Sequence, residues 1–98
     1  METESTLSIV NKDNSVDTIL PHHDGHPSNI VNFLIKHLNT YEKVKKFIES
    51  SNSFSIHYDS LFKFFLDTNN KKEWNYLFKN DKWYVSKDIS TTYELIDE

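Results

Sequence analysis

An alternation of aromatic and polar residues between positions 74 and 85 constrains the fold more than any other feature of the sequence. Residues 74–79 read WNYLFK and residues 82–85 read KWYV, with Asn80-Asp81 between them. Two alternating runs separated by two turn-forming residues are typical of a β-hairpin. A two-residue turn pairs Phe78 with Trp83 across the hairpin. The pattern therefore predicts two antiparallel strands joined by a tight turn.

The two faces of this hairpin differ in polarity. The apolar face carries the larger side chains, namely Trp74, Tyr76, Phe78, Trp83 and Val85. The opposite face is mostly polar, and Leu77 and Tyr84 are expected to be half exposed there. One buried and one solvated side is a common arrangement in antiparallel sheets.

A second hairpin is predicted near the start of the chain, where apolar residues flank Lys12–Ser15. A two-residue turn at Asp13-Asn14 places five residues on one face, namely Leu7, Ile9, Val16, Thr18 and Leu20. Residues 1–6 and residues 97–98 are expected to be frayed ends. Residues 91–96 are a candidate for one further strand.

The period of the apolar residues changes after the only glycine, Gly25, which lies between the two prolines. Apolar spacing predicts a first helix over residues 28–38, with Ser28 or Asn29 as its N-cap. A second helix is predicted after Thr40, which can cap it.

A third, short helix is predicted after Asp59 or Ser60. Its buried side is expected to contain Leu61, Phe62, Phe65 and Leu66. Together these elements predict an α+β fold in a single domain over residues 1–98: a small, mostly antiparallel sheet of four to five strands, built from two hairpins and covered on one face by two or three helices. The core is expected to contain Trp74, Tyr76, Phe78, Trp83, Ile30, Leu34, Val44 and Phe47.

The composition argues against several classes of function. The chain has no cysteine, which excludes thiol catalysis, zinc knuckles and iron–sulfur ligation. All 11 cationic side chains are lysines, so no guanidinium group can bind phosphate or guanine through two hydrogen bonds. Because the formal net charge is also -4, direct binding of nucleic acid is not expected.

The sequence also predicts a cytoplasmic location without a membrane partner. Its apolar runs are far shorter than the roughly 20 residues that cross a bilayer. The acidic start lacks the apolar segment of a secretory signal.

Charge is unevenly distributed along the chain. Residues 1–26 carry one Lys and five acids, residues 27–72 carry seven Lys and four acids, and residues 73–98 carry three Lys and six acids. The segments therefore have net charges of -4, +3 and -3, which sum to -4. This separation could orient a protein partner, although solvated helix and sheet faces are the commoner explanation.

Three of the five histidines lie within His22-His23-Asp24-Gly25-His26. Imidazole and carboxylate groups suit zinc or nickel, so His22, His23 and His26 are candidate metal ligands, with His37 and His57 as more distant ones. The spacing matches no known metal motif, however. The preferred interpretation is an Asx turn in which Asp24 accepts hydrogen bonds from backbone amides at the start of the first helix. No cofactor and no catalytic residues are predicted, because the usual nucleophile, phosphate and paired-carboxylate motifs are missing.

The order of several motifs resembles that of a group of small uncharacterised proteins from bacteriophages and prophages. The shared motifs are Ser5-Thr6-Leu7-Ser8-Ile9, Asp13-Asn14, His23-Asp24-Gly25-His26-Pro27-Ser28, His37-Leu38-Asn39-Thr40, Glu42-Lys43-Val44 and the hairpin Tyr76–Val85. The group has aromatic residues where His23 and His26 stand, and Asp-Gly in place of Asn80-Asp81. The resemblance implies a strand hairpin, a turn, helices and a late aromatic hairpin, in a protein that works inside a bacterial host. It supplies no catalytic residues.

The function predicted from these observations is binding to a host or bacterial protein. In the phage setting that the resemblance implies, such a protein could inhibit a host defence system, as anti-CRISPR proteins do. Candidate contact residues are Tyr84, Tyr93, Asp24 and Glu94, because tyrosine often anchors interfaces. Three alternatives stay open: an acidic nucleic-acid mimic, a metal-binding protein that uses the histidine cluster, and a homodimer formed through an exposed sheet edge.

Overall fold

Six strands and three helices make up the part of the chain that the computed structural model describes, which is residues 3–21, 24–88 and 92–96. In chain order they are β1 (Ser5–Val10), β2 (Val16–Leu20), α1 (Pro27–His37), α2 (Tyr41–Glu49), β3 (Phe54–Tyr58), α3 (Leu61–Leu66), β4 (Trp74–Lys79), β5 (Lys82–Lys87) and β6 (Glu94–Leu95). The strands form one sheet in the order β3-β2-β1-β4-β5-β6. The fold is α+β, as the sequence predicts.

The sheet is larger than predicted and is mixed. Both hairpins are antiparallel, but their first strands, β1 and β4, pair in parallel at the centre of the sheet, with Leu7 opposite Tyr76. The prediction of a mostly antiparallel sheet is confirmed, because four of the five strand pairings are antiparallel, but the predicted number of four to five strands is wrong. Turn chemistry determines each hairpin locally, whereas the pairing of two hairpins depends on distant contacts.

The hairpin of β4 and β5 forms in the predicted register, with Phe78 opposite Trp83 and Tyr76 opposite Val85. Its turn residues Asn80 and Asp81 have φ values of 53° and 62°. Positive φ at both central positions is the geometry of a type I′ turn, whose twist matches that of paired strands.

The hairpin of β1 and β2 differs from the prediction by one residue. Asn11 N donates to Ser15 O over 2.7 Å, which closes a longer loop, and Asn14 in that loop has a φ of 70°. Leu7 therefore pairs with Ile19 instead of Leu20. Because side chains alternate along a strand, this shift reverses the faces of β2, so that Val16, Thr18 and Leu20 do not share the face of Leu7.

The start of the chain is more ordered than expected. β1 begins at Ser5, and both Ser5 and Thr6 are buried, so the prediction of a frayed segment is wrong for these two residues. The frayed ends expected at residues 1–2 and 97–98 lie outside the described residues.

Two of the three helix caps were predicted. The hydroxyl groups of Thr40 and Ser60 accept hydrogen bonds from the backbone three residues ahead, each over 3.2 Å. The N-cap of α1 is His26, whose Nδ1 accepts from Ser28 N over 3.2 Å, so neither Ser28 nor Asn29 is the cap. Pro27 occupies the first helical position, where its missing N–H costs nothing.

Both faces of the sheet are covered. α1 and α2 lie on one face, over a core that contains Ile30, Leu34, Val44, Tyr76, Phe78 and Trp83, with Trp74 and Phe47 packed against it. This confirms the predicted core. α3 lies on the opposite face, over a second cluster formed by Val16, Tyr58, Phe64 and Leu77.

The prediction that helices cover only one face is therefore wrong. Leu77, expected to be half exposed, is only 2% exposed because Phe64 of α3 belongs to the cluster that encloses it. The described helices include none with the length and apolar character of a bilayer span.

Candidate functional site

The turn before α1 is held by Asp24. Its Oδ1 accepts hydrogen bonds from the backbone N–H groups of His26 over 3.1 Å and of Thr3 over 3.2 Å, and its Oδ2 accepts from Asn29 Nδ2 over 2.8 Å. The backbone hydrogen bond from His26 is the main cause that lowers the pKa of Asp24. The predicted Asx turn is confirmed, and its carboxylate is occupied by the protein's own donors.

Gly25 is needed in this turn because the chain passes very close to β1. A Cβ atom at position 25 would overlap the Cβ and Oγ atoms of Ser5. Gly25 N donates to Thr3 O over 2.9 Å, and the hydroxyl of Tyr76 donates to Gly25 O over 2.6 Å. The turn therefore ties the start of α1 to the centre of the sheet.

The structure does not bring the described histidines together. The His26 ring lies edge-on to Trp74, at 5.7 Å between centroids, and the His37 ring lies 5.4 Å from that of Phe33. His57 lies against Asp17 and Asp59, and His22 and His23 lie outside the described residues. Over residues 3–21, 24–88 and 92–96, no group of three or more His, Asp or Glu residues is placed to hold a metal ion.

A polar cluster that the sequence did not predict surrounds Asp17 on β2. Lys45 Nζ and Asn11 Nδ2 donate to its Oδ2 over 2.8 and 2.9 Å, and His57 Nδ1 lies 2.6 Å from its Oδ1. Burial opposes ionisation of Asp17, but the hydrogen bonds from Lys45, His57 and Asn11 outweigh it and lower the pKa of Asp17 to about 2. The hydrogen bond to Asp17 raises the pKa of His57.

The polar cluster around Asp17 connects three elements of the fold, β2, β3 and α2. His57 lies between two carboxylates, because its Nε2 is 3.8 Å from Asp59 Oδ1. Asp17 links β2 to β3 through His57 and to α2 through Lys45. The predicted register places Asp17 on the face of the sheet opposite Leu7, whereas the observed register pairs it with Ile9 on the face of Leu7, so the sequence did not reveal the cluster.

The four predicted contact residues lie in different surroundings. Tyr84 and Tyr93 both pack against the second cluster, and the Tyr93 hydroxyl is buried without a hydrogen-bond partner among the described residues. Burial is the main cause that raises the pKa of Tyr93. Glu94 pairs with Val85, on the other face of the sheet, and Asp24 holds the turn before α1. Tyr93 is only partly buried, so its choice as a contact residue stays a prediction.

The most exposed of the large apolar side chains in the described residues are elsewhere, on β3 and α3. Phe54 is 67% exposed, Phe62 is 70% exposed and Leu66 is 63% exposed. Phe62 and Leu66 were expected on the buried side of α3, but that helix is only six residues long and buries Phe64 instead. A short helix has no repeated stripe from which its inner side can be read.

These exposed side chains are the strongest candidate interface in the described chain. Large apolar groups are costly to leave in water, and clusters of them on a surface commonly mark binding sites. No protein-family model, curated protein or solved structure matches the chain.

Proposed function

We propose that the protein is a binding module that acts by contacting another protein through the outer side of α3. The observation that carries this proposal is the pair formed by Phe62 and Leu66, which are 70% and 63% exposed. Residues four positions apart lie on the same side of a helix, so the two side chains present one apolar surface.

The surroundings of this pair suit an interface. Lys63 Nζ lies 3.4 Å from Asp59 Oδ2, and both side chains are well exposed beside the apolar pair. Interfaces typically combine a few buried apolar anchors with a polar rim. A matching partner surface is an apolar groove or pocket wide enough for one aromatic ring.

The resemblance to phage proteins supports a bacterial host protein as the partner. In that setting the protein would act by occlusion, without chemistry of its own, and a host defence protein is the class of target that we propose. The side chains of the polar cluster around Asp17 hydrogen-bond one another, and we therefore propose no catalytic role for them.

The test is affinity capture from the bacterial host with three forms of the protein: the natural chain, a Phe62→Ser/Leu66→Ser variant and a Leu95→Ser control. Leu95 is 46% exposed but lies on β6, at the other edge of the sheet. We expect the natural chain and the control to retain one host protein in stoichiometric amount and the double variant to lose it. The captured protein is then purified and titrated by calorimetry.

A host protein that binds the double variant as well as the natural chain would contradict the proposed surface. Recovery of no stoichiometric partner would contradict the function. Because both substituted side chains are largely exposed, we expect the double variant to keep the melting temperature of the natural chain. An unchanged melting temperature would show that a loss of binding is not caused by unfolding.

A further inference from the structure

The free edge of the sheet at β3 is unusually open. β3 is the last strand of the sheet and pairs on one side only, with β2, among the described residues. Its sequence, FSIHY, has no proline, lysine or acidic residue. Natural edge strands are commonly protected by such residues, because unpaired N–H and C=O groups otherwise recruit another strand.

The opposite edge is protected. β6 has only two residues, Glu94 and Leu95, and the first of these is an exposed carboxylate. Short, charged strands pair poorly with added strands. An added strand is therefore favoured at β3 and disfavoured at β6.

The sequence of β3 is complementary to itself. When two copies align antiparallel about Ile56, Phe54 of each copy faces Tyr58 of the other, and Ser55 faces His57. Apolar positions meet apolar positions, and no two side chains of like charge lie directly opposite each other. The His57 ring is already held by Asp17 in its own chain, at 2.6 Å.

The exposed ring of Phe54 indicates that the strand added at the free edge of β3 comes from a second copy of the chain. This ring is 67% exposed, whereas Tyr58, four residues later on the same side of the strand, is only 8% exposed and packs edge-on against Phe64 of α3 at 5.5 Å between centroids. In the antiparallel register, Phe54 of one copy lies beside Tyr58 of the other, where α3 begins. The second copy therefore provides the cover that the single chain lacks.

We infer that two copies of this chain associate through β3, with the two-fold axis at Ile56, to form one continuous sheet across both molecules. A two-fold axis perpendicular to the sheet keeps each face on the same side. Both α3 helices therefore lie on one face of the dimer. The inference goes beyond the proposed function, since it concerns the edge of β3 and not the pair formed by Phe62 and Leu66 on α3.

The first test measures mass by light scattering over concentrations from about 10 µM to about 1 mM. A pairing of two five-residue strands is small, so we expect a reversible dimer whose mass approaches twice the 11.7 kDa of the chain as concentration rises. A mass of 11.7 kDa at every concentration would overturn the inference.

Two pairs of variants locate the interface. Ser55→Lys places a cation opposite His57 of the other copy, and Phe54→Ser removes the ring that needs cover, so both should stay monomeric. Asn32→Lys on the exposed side of α1 and Phe62→Ser on α3 make matched changes elsewhere and should dimerise like the natural chain. Dimerisation of Ser55→Lys at natural strength would overturn the assignment to β3.

Cross-linking tests the register. The chain has no cysteine, so Ile56→Cys introduces a single thiol at the two-fold axis. Opposed Cα atoms in antiparallel strands are roughly 4.5–5.5 Å apart, within the span of a disulfide. Oxidation should link Ile56→Cys into dimers and leave Asn52→Cys, four residues outside the axis, largely unlinked. Equal linking of both variants would overturn the register.

The two proposals fail separately. Phe62→Ser should impair capture of a host protein and leave the dimer intact. Ser55→Lys should abolish the dimer and leave the Phe62 and Leu66 surface of each chain unchanged.

Discussion

The indole Nε1 of Trp83 donates a hydrogen bond to the backbone carbonyl of Leu38 over 2.7 Å. Leu38 is the C-cap of α1, and carbonyl groups at a helix end have no partner within the helix. Both residues are buried, so water cannot replace the bond. This contact joins β5 to the end of α1 and sets how the aromatic hairpin lies beneath the helices.

Substitutions at Trp83 should separate packing from hydrogen bonding. We expect Trp83→Ala to lower the free energy of unfolding by about 3–5 kcal/mol, because a large buried ring is lost. Trp83→Phe keeps a ring but leaves the Leu38 carbonyl unpaired, at a cost of about 1–3 kcal/mol. Denaturant unfolding followed by circular dichroism measures both. A Trp83→Phe variant as stable as the natural chain would show that the hydrogen bond contributes nothing.

Gly25→Ala should destabilise the protein by about 1–3 kcal/mol, because the added methyl group overlaps the side chain of Ser5. Ser5→Gly removes the atoms that it meets. The double variant should therefore be more stable than the sum of the two single changes predicts, and thermal unfolding of all four forms gives this coupling. Strictly additive effects would mean that the two residues do not collide.

The cluster at Asp17 predicts a pH dependence with two limits. The pKa of Asp17 is lowered from 3.8 to about 2, so its stabilising effect is complete above pH 3.8 and is lost as the pH falls through about 2. The pKa of His57 is raised above 6.5, so its contribution is present below pH 6.5 and is lost as the pH rises through the raised value.

Asp17→Asn tests this assignment. It should lower the pKa of His57 toward 6.5 and reduce the stability at pH 6. The titration of the His57 ring protons by NMR measures the first effect. Asp59→Asn is the control, because Asp59 lies 3.8 Å from the other ring nitrogen and should change the pKa of His57 less. An equal effect of the two substitutions would contradict the assignment.

Lys71 should stabilise α3 from its C-terminal end. Its Nζ donates to the carbonyl groups of Phe64 over 2.9 Å and Asp67 over 3.0 Å, and it lies 4.0 Å from the Phe64 ring centroid. We expect Lys71→Met to cost about 1–2 kcal/mol and to speed amide hydrogen exchange in α3. Lys72→Met is the matched control and should change neither quantity. Unchanged exchange in Lys71→Met would contradict the capping role.

Asp81→Gly should stabilise the hairpin of β4 and β5. Asp81 has a φ of 62°, a conformation that glycine adopts without the steric cost that a Cβ brings. We expect the free energy of unfolding to rise by up to about 1 kcal/mol. Thermal unfolding measures it, with Asp88→Gly as a comparison, since Asp88 has a φ of 58° outside a two-residue turn. A decrease for Asp81→Gly would show that the carboxylate itself stabilises the turn.

The part of the fold that could be predicted is the part that local chemistry determines. Asn80-Asp81 specifies a tight turn, and the register of β4 and β5 follows from it. The loop after β1 holds Asp13, whose Oδ1 accepts hydrogen bonds from Ser15 N over 3.0 Å and from Ser15 Oγ over 2.6 Å. That local bonding stabilises a longer loop than two residues, and the shift reverses the faces of β2. Nothing in the spacing of the residues reveals it.

The same division applies to the candidate site. The Asx turn at Asp24 was predictable, because two of its three hydrogen-bond donors, His26 and Asn29, lie within five residues of Asp24. The third donor, Thr3, is distant in the sequence. In the polar cluster, Asp17 contacts Lys45, which is 28 positions later in the sequence, and His57, which is 40 positions later. Both contacts depend on the register of β2. The exposure of Phe62 and Leu66 was missed since α3 is too short to show which side is buried.

The parallel pairing of β1 with β4 has a consequence for synthesis of the chain. Thr6 Oγ1 donates to Asn75 Oδ1 over 2.8 Å, across 69 residues of sequence. At roughly 5–20 residues per second, a ribosome needs roughly 3–14 seconds to make the stretch between them. During that interval β1 lacks its neighbour and the first hairpin displays an unsatisfied edge. The edge of β1 that β4 occupies in the folded protein therefore stays open to other strands until β4 has been synthesised.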